Sequence, residues 1–130
     1  TVFGQGGRDF VKPVSKELIK ATEANLLKIF QNNKDILIPN IRIIKEEIPK
    51  RLYQAQEAID KSDWELFKER IHNLKSILFS QKPVNDLMQN LDKDIRKGSD
   101  WTAVKSHYLE LKTVLEELLQ VYQIIIERNS

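Results

Sequence analysis

Cysteine is absent from this 130-residue chain, which excludes disulfides, thiolate metal ligands and cysteine nucleophiles and agrees with a reducing compartment. Glycine is nearly as scarce. Gly4, Gly6 and Gly7 stand at the start, and Gly98 is alone in the remainder. No glycine-rich phosphate loop, Walker lysine or kinase constellation can be assembled from that supply. A basic excess is missing too, since 21 Lys and Arg face 19 Asp and Glu for a net charge of +2, so nucleic acid is not expected as a partner. Apolar runs are broken by charges within a few residues, and nothing reads as a bilayer span or secretory signal. No segment alternates with period two between turn residues, so no strand is required.

What is present is helical periodicity. Residues 1–14, with three glycines and Pro13, read as a tail, a linker or a cloning remnant, and residues 15–130 read as one domain. Ser15 is a candidate N-cap for a helix carrying Leu18, Ile19, Leu26, Leu27 and Phe30, which weakens near Gln31 at Asn32 and Asn33. Ile36, Leu37, Ile41, Ile44 and Ile48 keep a helical period, and Pro39 and Pro49 each predict a helix start or a kink. A further stretch runs from Pro49 to Asp60. Ser62 and Glu65 have capping-box spacing, predicting a helix that continues to about Phe79. Pro83 suits the first turn of the next helix, with Val84, Leu87, Leu91 and Ile95 inward and an end near Gly98. Ser99 or Asp100 caps the last helix, whose seam runs Trp101, Val104, Tyr108, Leu111, Leu115, Leu118, Tyr122, Ile125. Helices joined by short connections pack antiparallel, so the expectation is an all-α, up-and-down four-helix bundle with an additional N-terminal helix or helices.

One residue stands out. In the predicted helix the stripe Trp64, Phe67, Ile71, Leu74, Leu78 faces a core, and His72 points away from it, flanked on the outward arc by Lys68, Lys75 and Ser76. A neutral imidazole offers a lone pair to solvent, so an exposed histidine between cations can carry a phosphoryl group; by spacing alone a plain surface histidine is the better reading. His107 has no accompanying lysine pair and reads as a partly buried structural histidine. Trp64 and Trp101 read as packing. Glu46 with Glu47, and Glu116 with Glu117, point in different directions and make no carboxylate site.

The segment Ala58, Ile59, Asp60, Lys61, Ser62, Asp63, Trp64, followed by Ile71, His72, Asn73, Leu74, Lys75, Ser76, resembles the histidine-containing phosphotransfer (HPt) domain, whose core motif is HxLKG. His72, Leu74 and Lys75 match it directly, and Ser76 stands where the family has glycine. Val84, Leu87, Leu91, Gly98 and Asp100 look like the family's next helix and turn, so the likeness spans about residues 26–126. The resemblance implies a two-component phosphorelay intermediate in which His72 accepts a phosphoryl group from a receiver aspartate and relays it to another receiver. Lys68, Lys75 and Ser76 would support that group. Phe79 would either pack on the N-terminal helix or help dock the partner, and Gln89 or Asp92 is a candidate holder of the inner imidazole nitrogen.

No cofactor is implied on this chain, Mg²⁺ belonging to the receiver. Expected partners are receiver domains of response regulators or hybrid histidine kinases, met in the cytoplasm by a monomer with no direct membrane contact. The run Asp9, Phe10, Val11, Lys12, Pro13, Val14 resembles the Lys-Pro end of a receiver, which would make the chain the C-terminal module of a membrane-bound hybrid sensor kinase. The alternative function is a degenerate HPt-like module that docks a receiver or kinase without phosphotransfer.

Overall fold

A computed structural model describes residues 14–98 and 100–129. They form five helices and no strand: α1 (Lys16–Ile29), α2 (Lys34–Asp60), α3 (Trp64–Lys75), α4 (Lys82–Lys97) and α5 (Trp101–Arg128). No helix among the described residues is long and apolar enough to cross a membrane. The receiver-like run lies outside the described residues, apart from Val14, which packs against the core.

Local chemistry accounts for most boundaries. Ser15 accepts a hydrogen bond from the Leu18 amide and starts α1. That helix ends at Ile29, slightly before the expected point, because Gln31 and Asn32 take the left-handed conformation (φ 55° and 63°) and turn the chain. Asn33 then caps α2 through the Asp35 amide. Asp100, of the two candidates, caps α5 through the Ala103 amide. Gly98 closes α4 at φ 69°, where a side chain would be strained.

Three boundaries differ from expectation. Pro39 and Pro49 neither start nor divide a helix: both lie within a continuous α2 of 27 residues. Both are exposed, so the carbonyls left without a donor, at Asp35 and Lys45, can turn to water on the helix's outer side. Ser62 does not cap α3, because its φ of 51° puts it in the left-handed region, whereas an N-cap has extended backbone. Asp63 is the cap, accepting from the Leu66 amide at 3.0 Å. Finally, α3 stops at Lys75, short of Phe79.

The core lies between the long helices. α2 packs on α3 and α5, α4 packs on α5, and α1 lies against α5 and α2. Phe67, Leu74, Leu91, Leu111 and Leu115 are fully buried, each gaining about 1.5–3 kcal/mol from leaving water. At one end Trp64 stacks on Trp101 with centroids 4.3 Å apart, and Phe67 meets Trp101 edge-on at 5.8 Å, so the tryptophans serve packing. At the other end Phe79 contacts Phe30 at 5.6 Å and Tyr122 at 6.5 Å.

Two buried phenols give the fold a pH limit. Tyr108 donates to the Leu52 carbonyl at 2.6 Å, and burial first, then the charges of Glu116 and Asp60, pushes its pKa well above the usual value. Burial raises Tyr122 to about 12. The folded state therefore keeps protons that the unfolded chain releases near pH 10. This stabilisation is complete below about pH 10 and declines as pH rises through about 12. Chemical denaturation from pH 8 to 12 is expected to show that decline. Tyr122→Phe should flatten it, while Tyr108→Phe should flatten it and also cost about 1 kcal/mol at neutral pH through the lost hydrogen bond.

Candidate functional site

The helix that carries His72 is amphipathic in the expected register: Phe67, Ile71 and Leu74 are buried, and His72, Lys68 and Lys75 are exposed. These three outward residues line one open groove of about 700 Å³ between α3 and α4, floored by Leu66, Ile71 and Ile95. Among the described residues no group hydrogen-bonds the His72 ring, so neither Gln89 nor Asp92 holds it.

Because α3 ends at Lys75, His72 falls in its last turn. The partial negative charge of a helix C-terminus favours cations there and opposes an added anion. Arg51 of α2 offsets some of this by donating from Nη1 to the Asn73 carbonyl at 2.9 Å. Ser76 does the same from its own side, its Oγ donating to the Asn73 carbonyl at 2.7 Å. Ser76 has φ −65°, so the backbone here needs no glycine. The hydroxyl is spent on the helix end, and Ser76 does not line the His72 groove.

Lys75 is already engaged. Its Nζ lies 3.1 Å from Oδ2 of Asp92 on α4, with side chains 55% and 33% exposed; a pair so open to water contributes about 0–1 kcal/mol. Asp63, Glu65, Glu69 and Asp92 place four carboxylates on the groove against the ammonium groups of Lys68 and Lys75. Sequence reasoning missed this acidic rim. Its signal was available, because Glu65 and Glu69 precede His72 by seven and three residues and share its face. Asp92, which the resemblance offers as a partner for the imidazole, instead reaches the groove through tertiary packing and pairs with Lys75.

Phe79 lies half-buried in the 76–81 connection. Of its two expected roles, its contacts with Phe30 and Tyr122 match packing on the N-terminal helix. It also borders a second, smaller groove of about 320 Å³ that shares Lys75 and Asp92 with the first. The connection is tied to α1 by Asn25, which donates to the Ser80 carbonyl at 2.8 Å, and by Gln81, which donates to Thr22 Oγ1 at 2.9 Å.

The second histidine is of another kind. His107 Nδ1 lies 2.6 Å from Oδ2 of Asp94, a carboxylate only 7% exposed. A carboxylate so withdrawn from water needs such a donor, and the contact joins α4 to α5. No group of three or more metal-ligating side chains occurs among the described residues.

The two imidazoles therefore differ in accessibility, which diethylpyrocarbonate can read. His72 is expected to be carbethoxylated at least about tenfold faster than His107, whose Nδ1 is occupied and whose ring is partly covered. Peptide mapping of a time course checks this; equal rates would contradict the difference.

Comparison with protein-family models, with curated proteins and with solved structures finds no match to this chain.

Proposed function

We propose that this chain is a histidine phosphocarrier in which His72 takes a phosphoryl group from a receiver-domain aspartyl phosphate and passes it to another receiver. The observation that carries the reading is the exposed, unbonded imidazole on an open groove, with a lysine one turn to either side. A carrier nucleophile needs a lone pair facing solvent and room for an in-line donor, and nothing more elaborate. A ring nitrogen attacks phosphorus, the acyl-phosphate P–O bond breaks, and its electron pair leaves on the aspartate carboxylate. The ring keeps its other N–H and becomes a cationic phosphoimidazole.

Lys68 and Lys75 offset the arriving charge. Mg²⁺ and the acidic residues that bind it belong to the receiver, so the chain is a carrier with no cofactor of its own, and not an autonomous kinase. Receivers of response regulators or hybrid kinases are the partners of this two-component reading. We place the domain in the cytoplasm as a monomer, alone or as the C-terminal module of a membrane-bound hybrid kinase, with no nucleic-acid or membrane contact.

The reading extends to architecture: α2 to α5 form an antiparallel up-and-down four-helix bundle, and α1 is the additional helix. Three-residue connections between α2 and α3 and between α4 and α5 support it. So does the bond from Tyr108, early in α5, to Leu52, late in α2, which suits helices running in opposite directions. A second reading, a docking module that binds a receiver or kinase without transfer, is favoured by the four carboxylates on the groove, which repel a phosphoryl group.

Incubation with a phosphorylated receiver separates the two. Acid-labile, base-stable label should appear on the wild type and not on His72→Gln, and Lys75→Gln should slow transfer about three- to tenfold, equivalent to roughly 1 kcal/mol. Ser76→Gly should alter transfer less than about twofold while lowering stability by roughly 0.5–1 kcal/mol, because glycine loses more backbone freedom in a right-handed helix end. Binding without label on any variant would leave the docking module.

A further inference from the structure

The Lys75–Asp92 pair lies where two grooves meet. Lys75 and Asp92 border both the groove that holds His72 and the smaller one beside Phe79 and Met88. Lys75 comes from the last turn of α3 and Asp92 from the third turn of α4, and their contact at 3.1 Å is the one ion pair between these helices among the described residues. The two helices otherwise meet sparsely, so this contact bridges an open seam.

Lys75 cannot serve two anions equally. It is three residues after His72 on the same helix, within reach of a group carried on the ring. With His72 unmodified, its counterion is Asp92. A phosphoryl group carries about −1.5 to −2 charges and three acceptor oxygens, against a single charge on Asp92. The pair is half open to water, so a change of partner costs Lys75 little.

We infer that Asp92 is a positioning residue for phosphoryl transfer: it holds Lys75 across the seam while His72 is free, and His72 phosphorylation draws Lys75 from Asp92 to the phosphoryl oxygens. This rests on the phosphocarrier reading above. Asp92 thereby opposes loading of His72, since its carboxylate occupies the lysine that would neutralise the product. It also links the modification to the seam, because loss of the pair loosens the tie between α3 and α4. A partner contacting both helices could then distinguish loaded from unloaded carrier.

Phosphoramidate tests this without a receiver. The ring nitrogen of His72 attacks phosphorus, the P–N bond of the reagent breaks, and ammonia leaves with its electron pair. Loading and loss of phosphohistidine are followed on the full chain by ³¹P NMR, with peptide mapping to assign the site. Asp92→Asn is expected to load about threefold faster than wild type and to retain the group longer, and Asp92→Glu should restore wild-type behaviour. In a Lys75→Gln background Asp92→Asn should add little, because the two residues act through one contact. A merely structural role for Asp92 would change stability and leave this coupling at zero.

Loading of His72 that is unchanged by Asp92→Asn, or raised equally with and without Lys75, overturns the inference and leaves the carrier reading standing. Failure of His72 to load in every variant overturns both.

Discussion

The length of α2 and α5 is the constraint on which the rest of the structure depends. At 27 and 28 residues they extend about 40 Å each, whereas α3 and α4, with 12 and 16 residues, reach only about 18 and 24 Å. Their apolar flanks cannot be left open to water, and α1 lies against them both. The 76–81 connection is fastened to α1 by Asn25 and Gln81, and Phe79 is drawn between Phe30 and Tyr122. With Phe79 held in that junction, and Ile77 and Leu78 packed against the core, α3 ends at Lys75. The position of His72 in a final helical turn is a consequence of that stop.

The site inherits a mixed electrostatic character from this placement. A helix C-terminus and four groove carboxylates disfavour an anion, while Lys68, Lys75 and the Arg51 guanidinium at the helix end oppose them. A carrier does not need tight phosphate binding, because it must release the group as readily as it accepts it. A rim of mixed sign, four carboxylates against two ammonium groups, suits that requirement better than a strongly basic one. Asp94, in contrast, is buried and paired with His107 across α4 and α5, so its charge belongs to the scaffold.

Much of the fold was legible in the sequence wherever local chemistry and apolar period agreed. Ser15, Gly98 and Asp100 mark boundaries that their capping geometry explains, and the seam of α5 is buried from Val104 to Ile125 as its spacing requires. Of the two expectations at Pro39 and Pro49, a helix start does not occur, because a proline's cost depends on whether its orphaned carbonyl can reach water, which needs the helix face and not the residue type. The end of α3 is not legible because its apolar period continues to Phe79, whereas Phe79 packs on Phe30 and Tyr122 and the following Ser80 and Gln81 are tied to α1. For the site, the outward arc of His72, Lys68 and Lys75 followed from register alone. Ser76 belongs to that arc by number and leaves it by hydrogen bonding, and Asp92 joins the site only through the approach of α4.

The central claim is that His72 carries the phosphoryl group. The most direct measurement mixes this chain with a receiver bearing a labelled aspartyl phosphate, without ATP, and locates the label by mass spectrometry under conditions that preserve phosphohistidine. The account predicts label on His72 that moves to a second, unphosphorylated receiver when one is added. Label that remains on the first receiver, or that settles on His107, would contradict it.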